Sequence, residues 1–155
     1  PTFSELVYQA VKKTNATVHK GGTFLVIEGP QFSTKAESRI YRQWGVDIIG
    51  MTALPEAKLA REAEICYACM AHVTDYDVWH ETAEPVTVAM LIDNLNANAA
   101  VTKQALTYLA PMVAAQRERK CKCASALSTA IITQRDLIPA AMKQELSLLL
   151  GKYLK

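Results

Sequence analysis

The sequence predicts an α/β fold with a mixed, largely parallel sheet flanked by helices. Three observations carry this. Short apolar runs of strand length recur at 23–27, 46–50 and 65–71. Segments of helical periodicity alternate with them. The runs are nearly continuous rather than alternating, as in strands covered on both faces.

The first helix is expected over 4–13, with Leu6, Val7, Ala10 and Val11 on one face and Ser4 as its cap. Gly21-Gly22 turns the chain into the first strand, 23–27, which Gly29-Pro30 ends. Ser33 or Thr34 caps the next helix. Its inner face is read as Ala36, Ile40, Tyr41 and Trp44, and Gly45 closes it. The second strand follows at 46–50. Pro55 opens a short helix, since proline is tolerated in a first turn. The third strand is 65–71. Thr87 caps a long helix with the apolar stripe Val88, Leu91, Ile92, Leu95 and Ala99. Pro111 is expected to kink or interrupt its continuation. A last helix is read from 138 to 153, with Met142, Leu146 and Leu149 inward. No repeat, linker or low-complexity tract divides the chain, so residues 1–155 read as a single domain. Three strands make a thin sheet for this class, which points to strands supplied by another segment.

Composition narrows the function. Half the 155 residues are hydrophobic and 21% are charged, which excludes a disordered chain. A formal charge of +2 with interspersed signs gives no basic block for nucleic acid or an anionic membrane. No apolar stretch is long enough to span a bilayer and no signal-peptide pattern occurs, so a cytoplasmic location is expected. Of the four cysteines, Cys66 and Cys69 lie in the third apolar run and read as buried small hydrophobes. Their CxxC spacing is a weak metal signal, because on a strand they face opposite sides. Cys121 and Cys123 flank Lys122 and follow Lys120. Neighbouring cations favour the thiolate, so these are read as the more reactive pair.

Polar groups gather where strands end. The ends are Glu28-Gly29-Pro30-Gln31-Phe32-Ser33, Gly50-Met51-Thr52 and Thr74-Asp75-Tyr76-Asp77. Parallel strands would bring all three to one sheet edge, where open α/β sheets bind ligands. Asp75 and Asp77, two residues apart, point to the same side at a strand exit. Such a pair suits one small polar heterocycle, one acid handling a proton and the other accepting hydrogen bonds. Each residue has a plainer reading too: Phe32 as a core aromatic, Met51 as core filler, Thr52 as a cap, Asp75 and Asp77 as turn caps. Glu28 and Glu37 read also as buried acids paired with Arg39 or Arg42. His19, His72 and His80 have no partner that makes a triad. No phosphate-cradling glycine loop and no GxSxG elbow occur.

The string Glu28-Gly29-Pro30-Gln31-Phe32-Ser33-Thr34-Lys35-Ala36-Glu37 resembles the EGPxFSxxAE stretch of the methylthioadenosine phosphorylases, trimeric members of the purine nucleoside phosphorylase superfamily. Trp44-Gly45-Val46-Asp47-Ile48-Ile49-Gly50-Met51-Thr52 is similar to that family's WGADxxxMT stretch, with Pro55-Glu56 like its following PE. Ile65-Cys66-Tyr67-Ala68 through Thr74-Asp75-Tyr76-Asp77 and Trp79 resembles ICYxxxxxxTDYDxW. The resemblance covers about the first 110 residues. It implies phosphorolysis of 5′-methylthioadenosine to adenine and 5-methylthioribose 1-phosphate. It also implies no metal or other cofactor, inorganic phosphate as co-substrate, and a homotrimer.

Family chains are nearly twice as long, so this chain resembles the carboxy-terminal half, with most of the phosphate site in an amino-terminal half. The implied roles are specific. Asp75 meets purine N7 and supplies or shares its proton, and Asp77 accepts from the 6-amino group. Phe32 packs on the base with Ser33 beside it. Met51 lies against the ribose, and Thr52 helps to hold phosphate. Val86, Val88 and Leu91 wall the methylthio group. A carboxyl at Asp75, buried against Phe32 and Tyr76, is expected to have a raised pKa. The alternatives are a phosphorylase of broader purine specificity, a fragment that associates without chemistry, and a thiol-redox module on Cys121 and Cys123.

Overall fold

A computed structural model describes residues 2–80, 87–116 and 118–154. The chain forms two compact units, one of Pro1–Leu54 with Ala68–Arg119, the other of Pro55–Tyr67 with Lys120–Lys155.

In the first unit, α1 (Phe3–Val11) turns Leu6, Val7, Ala10 and Val11 inward, as its periodicity predicts. Its cap is Thr2, not Ser4: the Thr2 hydroxyl accepts from the Glu5 amide at 3.3 Å. Strand β1 (Phe24–Val26) pairs in parallel with β2 (Ile48–Gly50), Phe24 opposite Ile48 and Val26 opposite Gly50. The Asp47 carboxylate accepts from the Thr23 amide at 2.6 Å, fixing the entry of both strands.

Between the strands, α2 (Lys35–Gln43) starts with a reciprocal capping box. The Thr34 hydroxyl accepts from the Glu37 amide, and the Glu37 carboxylate accepts from the Thr34 amide at 2.8 Å. Glu37 is therefore an exposed cap, not a buried partner of an arginine, and its two bonds from Thr34 hold its pKa below the usual value. The helix ends with Gly45 at φ 75°, Gly45 N–H donating to Arg42 and Val46 N–H to Tyr41, a closure that needs a left-handed residue. The expected inner face is not inner. Trp44 is 69% exposed and Ile40 is exposed, and Ser38 is the buried residue of α2.

The third expected strand does not form a ladder. Residues 65–70 alternate exposed and half-buried as a strand does. Ala68 and Met70 pack on the cluster of Val7, Val11 and Ala105. Among the described residues, however, the sheet has only β1 and β2. The Val73 and Thr74 carbonyls instead receive side-chain amides of Asn98 and Asn94. Cys66 is half-buried and Cys69 exposed, so neither is a buried core residue.

Helix α4 (Val88–Ala114) is capped by Thr87, as expected, and packs along α1. Its stripe is shifted from the expected one. Val88, Ile92 and Leu95 are exposed, while Ala105 is buried and Leu109 joins the cluster. The asparagines at 94 and 98 take the turns facing the extended segment, and the apolar contact begins further along. Pro111 does not break α4 at once: the helix runs through it and stops three residues on, at Ala114. Proline there removes one bond in the last turn, where little helix remains to be disrupted. No helix of the described residues is long and apolar enough to cross a membrane.

Helix α3 (Ala53–Glu62), which belongs to the second unit from Pro55 on, carries that proline in its first turn. It closes with Glu64 at φ 57°, Glu64 N–H donating to Arg61 and Ile65 N–H to Ala60. The 8%-exposed Glu64 side chain accepts from the Leu127 amide at 3.0 Å and from the Tyr153 hydroxyl, and pairs with Lys152. A 3₁₀ turn spans Lys122–Ser125. The expected helix over 138–153 is two, α5 (Ala140–Glu145) and α6 (Ser147–Leu150), broken where Leu146 leaves helical geometry at ψ 8°. Met142 is exposed, while Leu146 and Leu149 are half-buried.

Candidate active site

The carboxylates of 74–77 sit on an irregular loop held by two helices. Helix α4 presents Asn94, Asn98 and Thr102 at four-residue steps, on one face. Asn94 donates to the Thr74 carbonyl at 2.7 Å, Asn98 to the Val73 carbonyl at 3.4 Å, and Thr102 bonds His72 at 2.7 Å. From the other side, Ser38 of α2, 1% exposed, donates to Asp77 Oδ2 at 2.5 Å. The Val78 amide donates to Asp77 Oδ1 at 2.8 Å. Among the described residues each Asp77 oxygen has one donor, and an ionised carboxylate offers about four lone-pair sites, so acceptor capacity remains.

Asp75 differs. It is exposed, and its Oδ2 accepts from the Thr74 hydroxyl at 3.3 Å. The expectation of an Asp75 buried against Phe32 and Tyr76 fails in this chain, because Phe32 is 85% and Tyr76 64% exposed. That exposure also rules out the core reading of Phe32. Tyr76 is packed instead by the loop's own residues. It stacks on His80 with centroids 4.3 Å apart, and Trp79 meets Tyr76 edge-on. The Arg42 guanidinium of α2 lies 3.6 Å from the Trp79 ring centroid.

The two strand-exit loops do meet. Met51 follows β2, and its sulfur would lie 2.8 Å from a side-chain carbon added at Gly29, whose φ is 70°. Glycine at 29 is therefore required both by backbone and by space. Further along the first loop, Ser33 has a buried hydroxyl with no hydrogen-bond partner among the described residues. Met51 and Leu91 are half-buried, Thr52 and Val88 exposed. Val86 lies outside the described residues. An open groove lined by Arg39, Arg42 and Gln43 runs on α2 and includes none of the predicted site residues.

Sequence reasoning missed Ser38, Asn94, Asn98 and Thr102, and gave His80 no role. The polar face of α4 was legible, as amides at four-residue spacing within an otherwise apolar helix. Ser38 had no signal: a serine inside a helix reads as surface. The four cysteines are thiols. Cys123 is pushed above its ordinary value, first by its hydrogen bond with Cys121 and then by burial, against the expected thiolate.

The chain is 52% identical over 152 residues to the S-methyl-5′-thioadenosine phosphorylase of Koribacter versatilis, covering 97% of this chain and 51% of that one. It is 53% identical over 160 residues to the enzyme of the same name from Gloeobacter violaceus, covering 99% and 53%. A crystal structure of a methylthioadenosine phosphorylase from an antarctic soil metagenomic library superposes with a TM-score of 0.85 at 39% identity, covering 95% of this chain and 52% of that one. A variant adenosine/methylthioadenosine phosphorylase of Schistosoma mansoni, solved with methylthioadenosine, gives a TM-score of 0.71 at 27% identity, covering 87% and 51%. The chain thus spans about half the length of the curated relatives it matches. The family profile described as Phosphorylase superfamily matches residues 1–111, a span that holds every residue of the candidate site, and the chain belongs to that superfamily.

Proposed function

We propose that the chain works in the phosphorolysis of 5′-methylthioadenosine, yielding adenine and 5-methylthioribose 1-phosphate. The observation that carries the reading is the acid loop of 74–77, anchored from two helices in a chain about half identical to enzymes named for this substrate. Cleaving the N-glycosidic bond builds positive charge on the ribose and negative charge on the purine. A general acid at N7 neutralises the second, a contribution on the order of 10²–10⁴-fold. Asp75 is that acid.

Asp77, oriented by Ser38, accepts from the 6-amino group with its remaining lone pairs. The buried hydroxyl of Ser33, without a partner among the described residues, supports a ligand partner beside the base. The exposed ring of Phe32 supports a role as a stacking surface for that base. Met51 lies against the ribose and Thr52 helps to hold phosphate. Val86, Val88 and Leu91 wall the methylthio group.

Residues 1–155 form the carboxy-terminal part of one phosphorylase domain. An amino-terminal half, as a separate chain or a further segment, completes the phosphate site. The whole is a cytoplasmic homotrimer that uses phosphate as co-substrate and no cofactor, nucleic acid or membrane. The exposure of Asp75 and Phe32 favours one second reading, in which the chain alone associates without doing chemistry.

Denaturing intact mass of the native assembly separates the two. A second polypeptide of comparable size, with adenine released from methylthioadenosine only when phosphate is added, supports phosphorolysis. A single 17.1 kDa species without turnover supports the second reading. In the active assembly, Asp75→Asn is expected to lose roughly 10²–10⁴-fold in kcat. Near-normal turnover would remove Asp75 from its role. Strong cleavage of inosine or guanosine would point to broader purine specificity and remove the Asp77 assignment.

A further inference from the structure

Three thiols from two distant stretches of the sequence converge in the second unit. The sulfurs of Cys66, Cys121 and Cys123 all lie within 4.8 Å of one another. Cys66 Sγ and Cys121 Sγ are 3.4 Å apart, within sulfur hydrogen-bond distance, and no disulfide joins them. The local backbone explains the convergence. Glu64 turns the chain out of α3 in a left-handed conformation and delivers Cys66 two residues later. The same Glu64 side chain takes the Leu127 amide, four residues past Cys123. Lys152, paired with Glu64, donates to the Ala124 carbonyl at 2.6 Å. The segments bearing the thiols are thus tied to one anchor.

A zinc ion bound by thiolates holds its sulfurs at about 2.3 Å, which sets tetrahedral S–S separations of roughly 3.8 Å. The three sulfurs need shifts of well under ~1 Å each to reach that spacing. The sulfur set suits a soft d¹⁰ ion and gives hard cations nothing. Cys121 is exposed, so a water can serve as the fourth ligand. The unit also has need of a staple: among its described residues, Leu154 is the one buried apolar side chain.

We propose that Cys66, Cys121 and Cys123 form a zinc-binding site with one solvent ligand. It is structural and independent of the proposed nucleoside chemistry. Binding exchanges protons for metal: each ligating thiol releases its proton to solvent and no electrons move.

The test is a titration of the full chain, reduced and stripped of metal, first with Co²⁺ and then with Zn²⁺. The expected result is one equivalent bound, a sulfur-to-cobalt charge-transfer band, and displacement of cobalt by zinc. Cys66→Ser, Cys121→Ser and Cys123→Ser are each expected to weaken binding by more than ~10-fold, and Cys69→Ser to leave it unchanged. Alkylation of the unsubstituted chain gives a reading that does not depend on variants folding. Zinc should slow modification of Cys66, Cys121 and Cys123 and not of Cys69. Absence of the charge-transfer band would overturn the proposal, as would equal loss on Cys69→Ser. So would an unreduced chain lighter by two hydrogens with those thiols joined, or binding of Cu⁺ with exclusion of zinc.

Discussion

Ser38 and Asp77 stand 39 positions apart and meet through one hydrogen bond between a buried hydroxyl and a half-buried carboxylate. Bonds to charged groups are worth about 1.5–3 kcal/mol when lost. Ser38→Ala removes the donor that fixes the Asp77 rotamer without touching substrate. In the complete enzyme this change is expected to lower kcat/KM for adenine nucleosides by roughly 10–100-fold, mostly through KM. Steady-state kinetics on a 6-amino and a 6-oxo nucleoside provide the check. If both substrates fall equally, or neither falls, Ser38 does not act through Asp77. The aromatic neighbours work differently. His80 stacks on Tyr76 within the loop, and Arg42 of α2 lies over Trp79.

At the scale of elements, the site depends on caps and on one polar helix face. Thr34→Ala removes half of the capping box at the start of α2, the helix that carries Ser38, and is expected to cost about 1 kcal/mol in urea unfolding. Asn94→Ala removes one of the three bonds described from α4 to residues 72–74, the one that reaches the acid loop at Thr74. It is expected to cost about 1 kcal/mol and to speed amide exchange at 75–80 while leaving α1 unchanged. Uniform acceleration across the first unit would mean that Asn94 supports α4 rather than the loop.

These elements also mark what the sequence made legible. Gly45, Thr87 and the Leu6–Val11 face of α1 carry local signals, and each element forms as its signal predicts. Glu37 three residues after Thr34 was equally local but was read as an ion-pair partner. The misses are non-local. Residues 65–71 have a strand's composition, yet a strand needs a neighbour to bond, and composition cannot supply one. Trp44 and Ile40 look like an inner face, yet they are exposed, since apolarity says which residues gain from burial and not what covers them. Of the candidate site, the meeting of the Gly29 and Met51 loops was readable as strand-exit chemistry, whereas the acids, expected at a third strand exit, lie on an irregular loop. Ser38 was not readable, because its partner arrives from far along the chain.

Across the whole molecule, response to pH should follow Glu64. Burial works against its charge, but Lys152, the Tyr153 hydroxyl and the Leu127 amide outweigh that and lower its pKa from 4.5 to about 2. A depressed acid contributes stability that is fully present above its ordinary value and lost as pH falls through the folded one. Acid unfolding of the second unit should therefore steepen between pH 4.5 and about 2. At the other limb the same contact acts with opposite sign. Lys152 and Tyr153 are both raised above their ordinary 10.5 and 10.0, chiefly by bonding Glu64, so their contribution holds below pH 10 and fades as pH climbs through the raised values. Glu64→Gln keeps the shape, removes the charge and cannot titrate. It is expected to lower stability at neutral pH and to flatten both limbs, read as denaturant midpoints across pH. Flattening of the alkaline limb alone would assign the acid transition to other carboxylates. An unchanged profile would mean that the left-handed turn at Glu64 is held by the backbone bonds to Arg61 and Ala60, and that the donors to its carboxylate are incidental.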